Sequence, residues 1–309
     1  MKLSIVLVSY NQIEYIDQCL DGILLQEFDS QMELIIADDF SSDGTIERLK
    51  ERLKETAFEV KFLIADKNLG LGKNYLRGIA ACRGEFVSFL EGDDYWTDPQ
   101  RLRKHVDFLE RNLRCPMSFN PYAIYHQKTG SLIIPKLNAK SEVNFYSSKK
   151  LIQYNVIGNL STCVFRKTAL DSVSAHWLKY NITDWFLGIF LAEKHPIAQL
   201  NEVMSVYRIN PRGLWSNYSE EEQCDKKSKL TFTYDFLLGY RFSNEFLAYR
   251  LTARIKKKRD DWKANSPKKL GQVVSKVISQ GLILRFSIAI AYMVPKKMIK
   301  RNEKIYNIF

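Results

Sequence analysis

Short runs of uninterrupted apolar residues alternate with longer amphipathic stretches through residues 1–125. LSIVLVS (3–9), ELIIAD (33–38), EVKFLIA (59–65) and EFVSFLEG (85–92) are rich in aliphatic and β-branched side chains. That is the pattern of strands covered on both faces of a parallel sheet. Between them, residues 13–26 place Ile13, Ile16, Leu20, Ile23 and Leu24 on one helical face. SSDGTIERLKERLKE predicts a second helix capped by Ser42 or Asp43, and residues 72–82 a third. Asp98 reads as the cap of a fourth, running to Asn112. Repeated β-α units predict an α/β fold with helices on both faces of a mainly parallel sheet.

Beyond Cys115 the alternation stops. Residues 117–135 predict paired strands around Thr129-Gly130, LSTCVF (160–165) a strand, 184–194 a helix and 229–251 a long apolar helix. A lysine-rich linker (255–269) then leads to 273–294, whose uninterrupted apolar part after Arg285 is nine residues. A bilayer crossing needs about 20. An amphipathic helix lying in the interface, with Lys296, Lys297 and Lys300 nearby, fits this length better than a span. The plainer alternative is a helix that covers the core.

Charge sharpens the picture at that end. The net charge is +11, yet residues 1–215 balance at 26 basic and 26 acidic side chains, so the whole excess lies in 216–309, with 20 against 9. Such a segment seeks anionic partners. With no RNA-binding or helix-turn-helix signature present, an anionic membrane surface met by 256–304 is expected, and no nucleic acid. The five cysteines show no CxxC or zinc-like spacing, which predicts reduced thiols. The N-terminal apolar run is too short for a signal peptide. A cytoplasmic protein, peripheral on the cytoplasmic face of the inner membrane, is the expected location.

The candidate chemistry sits where strands end. The first run ends in Ser9-Tyr10-Asn11, the second in Asp38-Asp39, the fourth in Glu91-Gly92-Asp93-Asp94. In an open parallel sheet, ligands bind at the carboxyl ends of strands. An aromatic ring can stack on a base, and a carboxylate can accept a hydrogen bond from base or ribose. Clustered carboxylates repel one another and call for a positive partner. Hard oxygen ligands of this kind select Mg²⁺ or Mn²⁺ bridging to a diphosphate. NAD binding would need G-x-G-x-x-G after the first strand, where VSYNQIEY has no glycine. Taken singly, each of these residues has a bland reading as packing, turn or cap, and their joint position at successive strand ends is what favours a site. The scattered His105, His126, His176 and His195 show no ligand spacing.

The order SIVLVSYN, LIIADDFSSDGT, NLGLGKNYLRGIAACRGEFVSFLEGDD strongly resembles the family 2 glycosyltransferases of GT-A fold, of the bacterial surface-polysaccharide type. The resemblance covers residues 1–125 closely and 126–216 more loosely. It implies a GT-A, Rossmann-like catalytic domain over 1–216, with a mixed but mainly parallel sheet flanked by helices. The nucleotide-binding half would be 1–115 and the acceptor-binding half 116–216, followed by a helical, basic, membrane-associating extension over 217–309. It further implies that Tyr10 and Asp39 hold the base, and that Ser9, Asn11, Asp38, Lys73, Asn74 and Asp93 line the nucleotide. Asp93 and Asp94 occupy the place of the metal-binding D-x-D signature, with Glu91 where an aspartate is common. Asp184 occupies the place of the catalytic base, with Thr183 in the position of the family's preceding glutamate. VMSVYRINPRGLWS (203–216) resembles the family's YR-x-H-x-x-G-x-W-S stretch, with Asn210 at the histidine. There Arg208, Asn210, Arg212 and Trp215 would face the diphosphate and acceptor, and IGNLSTCVFR (157–166) the acceptor.

The resemblance thus implies an inverting, metal-dependent glycosyltransferase using Mn²⁺ or Mg²⁺. Its donor would be a nucleotide-diphosphate sugar, a UDP-sugar being favoured, and its acceptor a glycan or lipid-linked glycan. A sugar nucleotidyltransferase would need a glycine-rich loop after the first strand, and none is present. A non-catalytic sugar-nucleotide-binding protein would keep Tyr10 and Asp39 yet need no base.

Overall fold

The computed structural model describes residues 1–137, 141–173, 183–213 and 215–253. The chain divides into two units, Met1–Asn217 and Tyr218–Phe309.

In the first unit the apolar runs form β1 (Leu3–Ser9), β2 (Met32–Asp38), β3 (Glu59–Ile64) and β4 (Phe86–Glu91). All four are parallel, in the order β3-β2-β1-β4. Alternate side chains of β1 serve different faces. Leu3, Ile5 and Leu7 join a core with α1 (Ile16–Leu24), α2 (Thr45–Arg52) and α4 (Arg101–Arg111). Val6 points the other way, toward α3 (Leu71–Ala81), where Gly78 lies so close that a Cβ would strike its side chain.

Past β4 the sheet changes direction. β10 (Cys163–Arg166) is antiparallel to β4, and β6 (Met117–Phe119), β11 (Ile197–Leu200) and β9 (Val143–Tyr146) continue outward. A second sheet runs β5 (Tyr95–Trp96), β12 (Ser205–Ile209), β7 (Tyr122–His126), β8 (Ser131–Ile133). Short helices α5 (Ser148–Gln153) and α6 (Lys167–Asp171) and then α7 (Asp184–Leu191) fill the connections.

Several expectations change at their edges, for physical reasons. α1 starts at Ile16 rather than 13, because the backbone N–H groups of Asn11, Gln12 and Ile13 donate to the side chains of Ser41, Thr45 and Asp43. Asp43 therefore bridges two loops instead of capping α2, which begins after Gly44 in the left-handed region. Residues 117–135 are not one pair of strands. Met117–Phe119 enters the main sheet, and the pair is β7 with β8 about Thr129-Gly130. LSTCVF gives a strand only from Cys163, since Leu160–Thr162 is a 3₁₀ turn whose Ser161 serves the acid loop described below.

The second unit opens with α8 (Glu220–Leu237), started by a capping box in which the Ser219 hydroxyl accepts from Glu222 N–H and the Glu222 carboxylate accepts from Ser219 N–H. The expected helix over 229–251 is interrupted by Gly239 and Tyr240, both at positive φ, and helix resumes over 243–253. The interfacial helix expected over 273–294 and its lysines lie outside the described residues. No described helix is long and apolar enough to cross a membrane.

Candidate active site

The strand ends meet as the sequence implies. Ser9 pairs with Asp38 in register, and Val8 with Glu91, so three loops leave the sheet side by side. The Ser9 hydroxyl donates to Asp38 Oδ2 at 2.9 Å, and Ser41 donates to the same carboxylate through N–H and hydroxyl. Asp39 accepts from the N–H groups of Leu69 (2.7 Å) and Gly70 (2.9 Å). Both buried acids thus tie loops together at the strand ends. Asn11, at φ 51°, accepts from Ser42 N–H. Tyr10 is 46% exposed and Phe40 51%, two aromatic rings at the mouth. Lys73 is exposed, whereas Asn74 is fully buried. Its Nδ2 donates to Ala37 O at 2.7 Å and its Oδ1 accepts from Arg77, so Asn74 clamps α3 to β2 and departs from the nucleotide-facing position implied for it.

The acid loop has the positive partner its charge demands, and it comes from the chain itself. Arg208 on β12 is buried, with its guanidinium 5.0–5.3 Å from the ring centres of Tyr15, Tyr95 and Tyr125. Its Nε donates to Asp93 O at 2.8 Å, and its other nitrogens to Gln127 and Gln18. Its backbone N–H donates to Asp94 Oδ1 at 3.0 Å. Asp94 Oδ2 accepts from Ser161 Oγ (2.7 Å) and Asn159 Nδ2 (3.2 Å). Burial first, then the charges of Asp93 and Glu91, push the Asp94 carboxyl well above its usual range.

Glu91 accepts from the Tyr75 hydroxyl at 2.5 Å, and burial together with Asp93 raises it to about 7. Asp93 is also raised by burial, against the 2.8 Å hydrogen bond donated by Asn210 Nδ2 to its Oδ2. Among the described residues no cluster of three His, Cys, Asp or Glu groups forms a ready ion site. The donor set still fits a hard cation in part. Glu91 Oε2 takes no hydrogen bond from the described residues and Asp93 is half-buried, and Mg²⁺ or Mn²⁺ keeps waters and takes substrate phosphates alongside one or two carboxylates. Asp94, 1% exposed with both oxygens engaged, does not fit as a ligand. Nor does Asn210, whose Oδ1 accepts from Arg212 N–H.

Asp184 opens α7, and its Oδ2 accepts from Asn155 Nδ2 at 3.0 Å. Its charge acts on Glu91, Tyr122 and Cys163, so it lies within electrostatic range of the acid loop. The stretch 155–161 joins the two, reaching Asp184 through Asn155 and Asp94 through Asn159 and Ser161. Sequence reasoning marked 157–166 only as acceptor lining and missed Asn155, Tyr75, Gln18 and Gln127 altogether. Polar residues scattered over distant segments carry no spacing signal. Arg212 is exposed and pairs with Glu14 (3.2 Å) near Asn11 rather than with the acid loop, and Trp215 is half-buried.

A parallel sheet that turns antiparallel after its acid loop, with a second small sheet locking that loop, is the architecture of nucleotide-sugar transferases. Residues 4–173 match the family model described as glycosyl transferase family 2, and the chain belongs to that family. An uncharacterised protein of Mycobacterium tuberculosis is 34% identical over 223 residues, 72% of this chain and 63% of that one. The chain thus spans less than two thirds of the length of such relatives. Escherichia coli WfgD, named a UDP-Glc:α-D-GlcNAc-diphosphoundecaprenol β-1,3-glucosyltransferase, is 27% identical over 71% of this chain and 81% of its own. Among solved structures, S. aureus TarS in complex with UDP-GlcNAc superposes with a TM-score of 0.62 at 18% identity, covering 88% of this chain and 78% of that one. The mannosyltransferase PcManGT of Pyrobaculum calidifontis, with GDP-Man and Mn²⁺, gives 0.58 at 13%, covering 91% and 80%. These likenesses establish the GT-A fold.

Proposed function

We propose that this protein is an inverting, metal-dependent glycosyltransferase. It moves a sugar from a nucleotide-diphosphate donor, a UDP-sugar being favoured, to an acceptor hydroxyl of a lipid-linked glycan in surface polysaccharide synthesis. The observation that carries the reading is the segment 155–161, which holds Asp184 through Asn155 and the acid loop through Asn159 and Ser161. The activity for which the E. coli relative is named supports the donor and acceptor classes, and the Mn²⁺ complex of the archaeal neighbour supports the metal.

In this scheme Tyr10 and the β1 and β2 loops receive the nucleotide. Mn²⁺ or Mg²⁺ held by Asp93 with Glu91 would offset the charge building on the departing diphosphate. Asp184 accepts the acceptor's hydroxyl proton while that oxygen bonds to the anomeric carbon and the bond to the diphosphate breaks. The hydrogen bond from Asn155 fixes the carboxylate for that task. Asp94 and Arg208 act from beneath, setting the shape of the loop. We place the enzyme on the cytoplasmic face of the inner membrane, with the basic stretch 256–304 as one attachment.

Calorimetric titration with UDP, GDP, CDP and dTDP, each with Mn²⁺ and with EDTA, tests the donor and metal together. One nucleotide is expected to bind in Mn²⁺ and to fail in EDTA and in Asp93→Ala. Binding that ignores both the metal and Asp93 overturns the scheme. Asp184→Asn is expected to keep nucleotide binding and to lose turnover by about 10²–10⁴-fold. A protein that never turns over a sugar nucleotide, yet binds one, would be the non-catalytic alternative.

A further inference from the structure

The second sheet ends in a hairpin that the catalytic scheme does not use. β8 is the edge strand, paired with β7 through Ile124↔Ile133, Tyr125↔Leu132 and His126↔Ser131. Leu132, Ile133 and Ile134 are 50%, 53% and 64% exposed. Successive strand side chains take opposite faces, so exposure at three consecutive positions means that β8 and the residue after it have both faces in solvent. Scattered exposed aliphatic residues need no explanation, but a contiguous run of them does.

The charge around this run is one-sided. From Tyr122 to Leu137 the sequence has no aspartate or glutamate, while Lys128 and Lys136 are basic. Lys128 and Lys136 bracket the apolar run and are exposed. Aliphatic side chains within a collar of ammonium groups complement an anionic lipid surface, acyl chains for the first and headgroup phosphates for the second. A second copy of the chain fits less well. The strand has only three residues, Pro135 blunts its continuation, and pairing two such edges would bring the lysine collars together.

We propose that the β7–β8 hairpin is a membrane-contact element. It buries Leu132, Ile133 and Ile134 in the interface of an anionic bilayer, with Lys128 and Lys136 on the headgroups. It is separate from the basic C-terminal stretch and does not depend on the acceptor's identity. The hairpin's base is wired to the acid loop. Gln127 N–H donates to Ile209 O at 3.0 Å, and the Gln127 side chain accepts from Arg208, which in turn holds Asp93. Contact at the tip would therefore set the height of the acid loop above the bilayer.

The test is co-sedimentation of the full chain with phosphatidylglycerol–phosphatidylcholine vesicles and with phosphatidylcholine alone. Three variants are compared: Leu132→Ser/Ile133→Ser/Ile134→Ser, Lys128→Ala/Lys136→Ala and, in the tail, Lys296→Ala/Lys297→Ala/Lys300→Ala. Each hairpin variant is expected to weaken binding to the anionic vesicles about tenfold or more, whatever the tail variant does. Brominated lipid is expected to quench fluorescence in Ile133→Trp beyond the level of the parent chain. Parent-like binding by both hairpin variants, or no added quenching, overturns the proposal. So does a dimer seen by light scattering in the parent and lost in the hairpin variants, which would assign the face to a second copy. Nucleotide binding in solution should be unchanged throughout. Its absence from the parent chain, with hairpin-dependent vesicle binding intact, would strike the transferase reading alone.

Discussion

Asp93 and Asp94 are neighbours of the same type with opposite surroundings. Asp94 takes three hydrogen bonds from Arg208, Ser161 and Asn159 and is buried, whereas the Asp93 carboxylate takes one from another side chain, that of Asn210, and is half-buried. Removing a partner that satisfies buried donors costs about 1–3 kcal/mol. Asp94→Ala is therefore expected to lower the thermal midpoint by several degrees, read by scanning calorimetry. Asp93→Ala should leave the midpoint unchanged or raise it, since it relieves repulsion on Glu91, while abolishing metal-dependent nucleotide binding. In the sequence the two residues are indistinguishable. What separates them arrives from 114 positions away, and no local pattern encodes it. Asn74 is the converse case, a polar residue in a glycine-rich loop that looked like a ligand contact and is a buried clamp. Glu91 and Asp93 were legible because a strand end is visible in hydrophobic patterning, whereas Asp184 was marked only by the resemblance to the family.

At the level of elements, the first four strands and their helices are written in the sequence because each is long, apolar and locally bounded. The second half is not. β5 has two residues and β6 three, and each is defined by a partner far along the chain rather than by its own composition. The packing of α1 shows how tightly the two halves are joined. A Cβ at Gly22 would lie 2.7 Å from Trp96 N and 2.9 Å from Trp96 O, both backbone atoms of β5. Gly22→Ala must push α1 and β5 apart, at a cost of about 1–3 kcal/mol. The expected readout is a lower urea midpoint with an unchanged slope, together with weaker nucleotide binding, because β5 carries the acid loop's return. An unchanged midpoint would mean that α1 shifts freely.

Over the whole molecule, the amino end of the sheet holds a second set of charges remote from the crevice. Glu33 is buried, a position that by itself raises its pKa. Hydrogen bonds from Ser4 and from the Arg83 backbone and guanidinium outweigh this, leaving it below the ordinary 4.5. A group with a lowered folded-state pKa gives stability that is fully present above its unfolded value and lost as pH falls through the folded one. Folding stability should therefore fall below about pH 4.5, and Glu33→Gln should be less stable at neutral pH yet lose less on acidification. Denaturant titrations of both proteins at pH 7 and pH 4 measure the difference. If the two proteins lose stability in parallel on acidification, Glu33 is not a source of the acid sensitivity.

The route by which the acid loop acquires its cation has a consequence for how the protein comes into being. As the chain leaves the ribosome, β1 to β4 can assemble from residues already made, but Glu91, Asp93 and Asp94 must wait for Ser161 and then for Arg208. During that interval three carboxylates stand together without their guanidinium, able to take protons or capture a stray cation. The crevice is therefore the last part of its own unit to mature, and release of a shortened chain ending before β12 would yield a sheet without a finished loop.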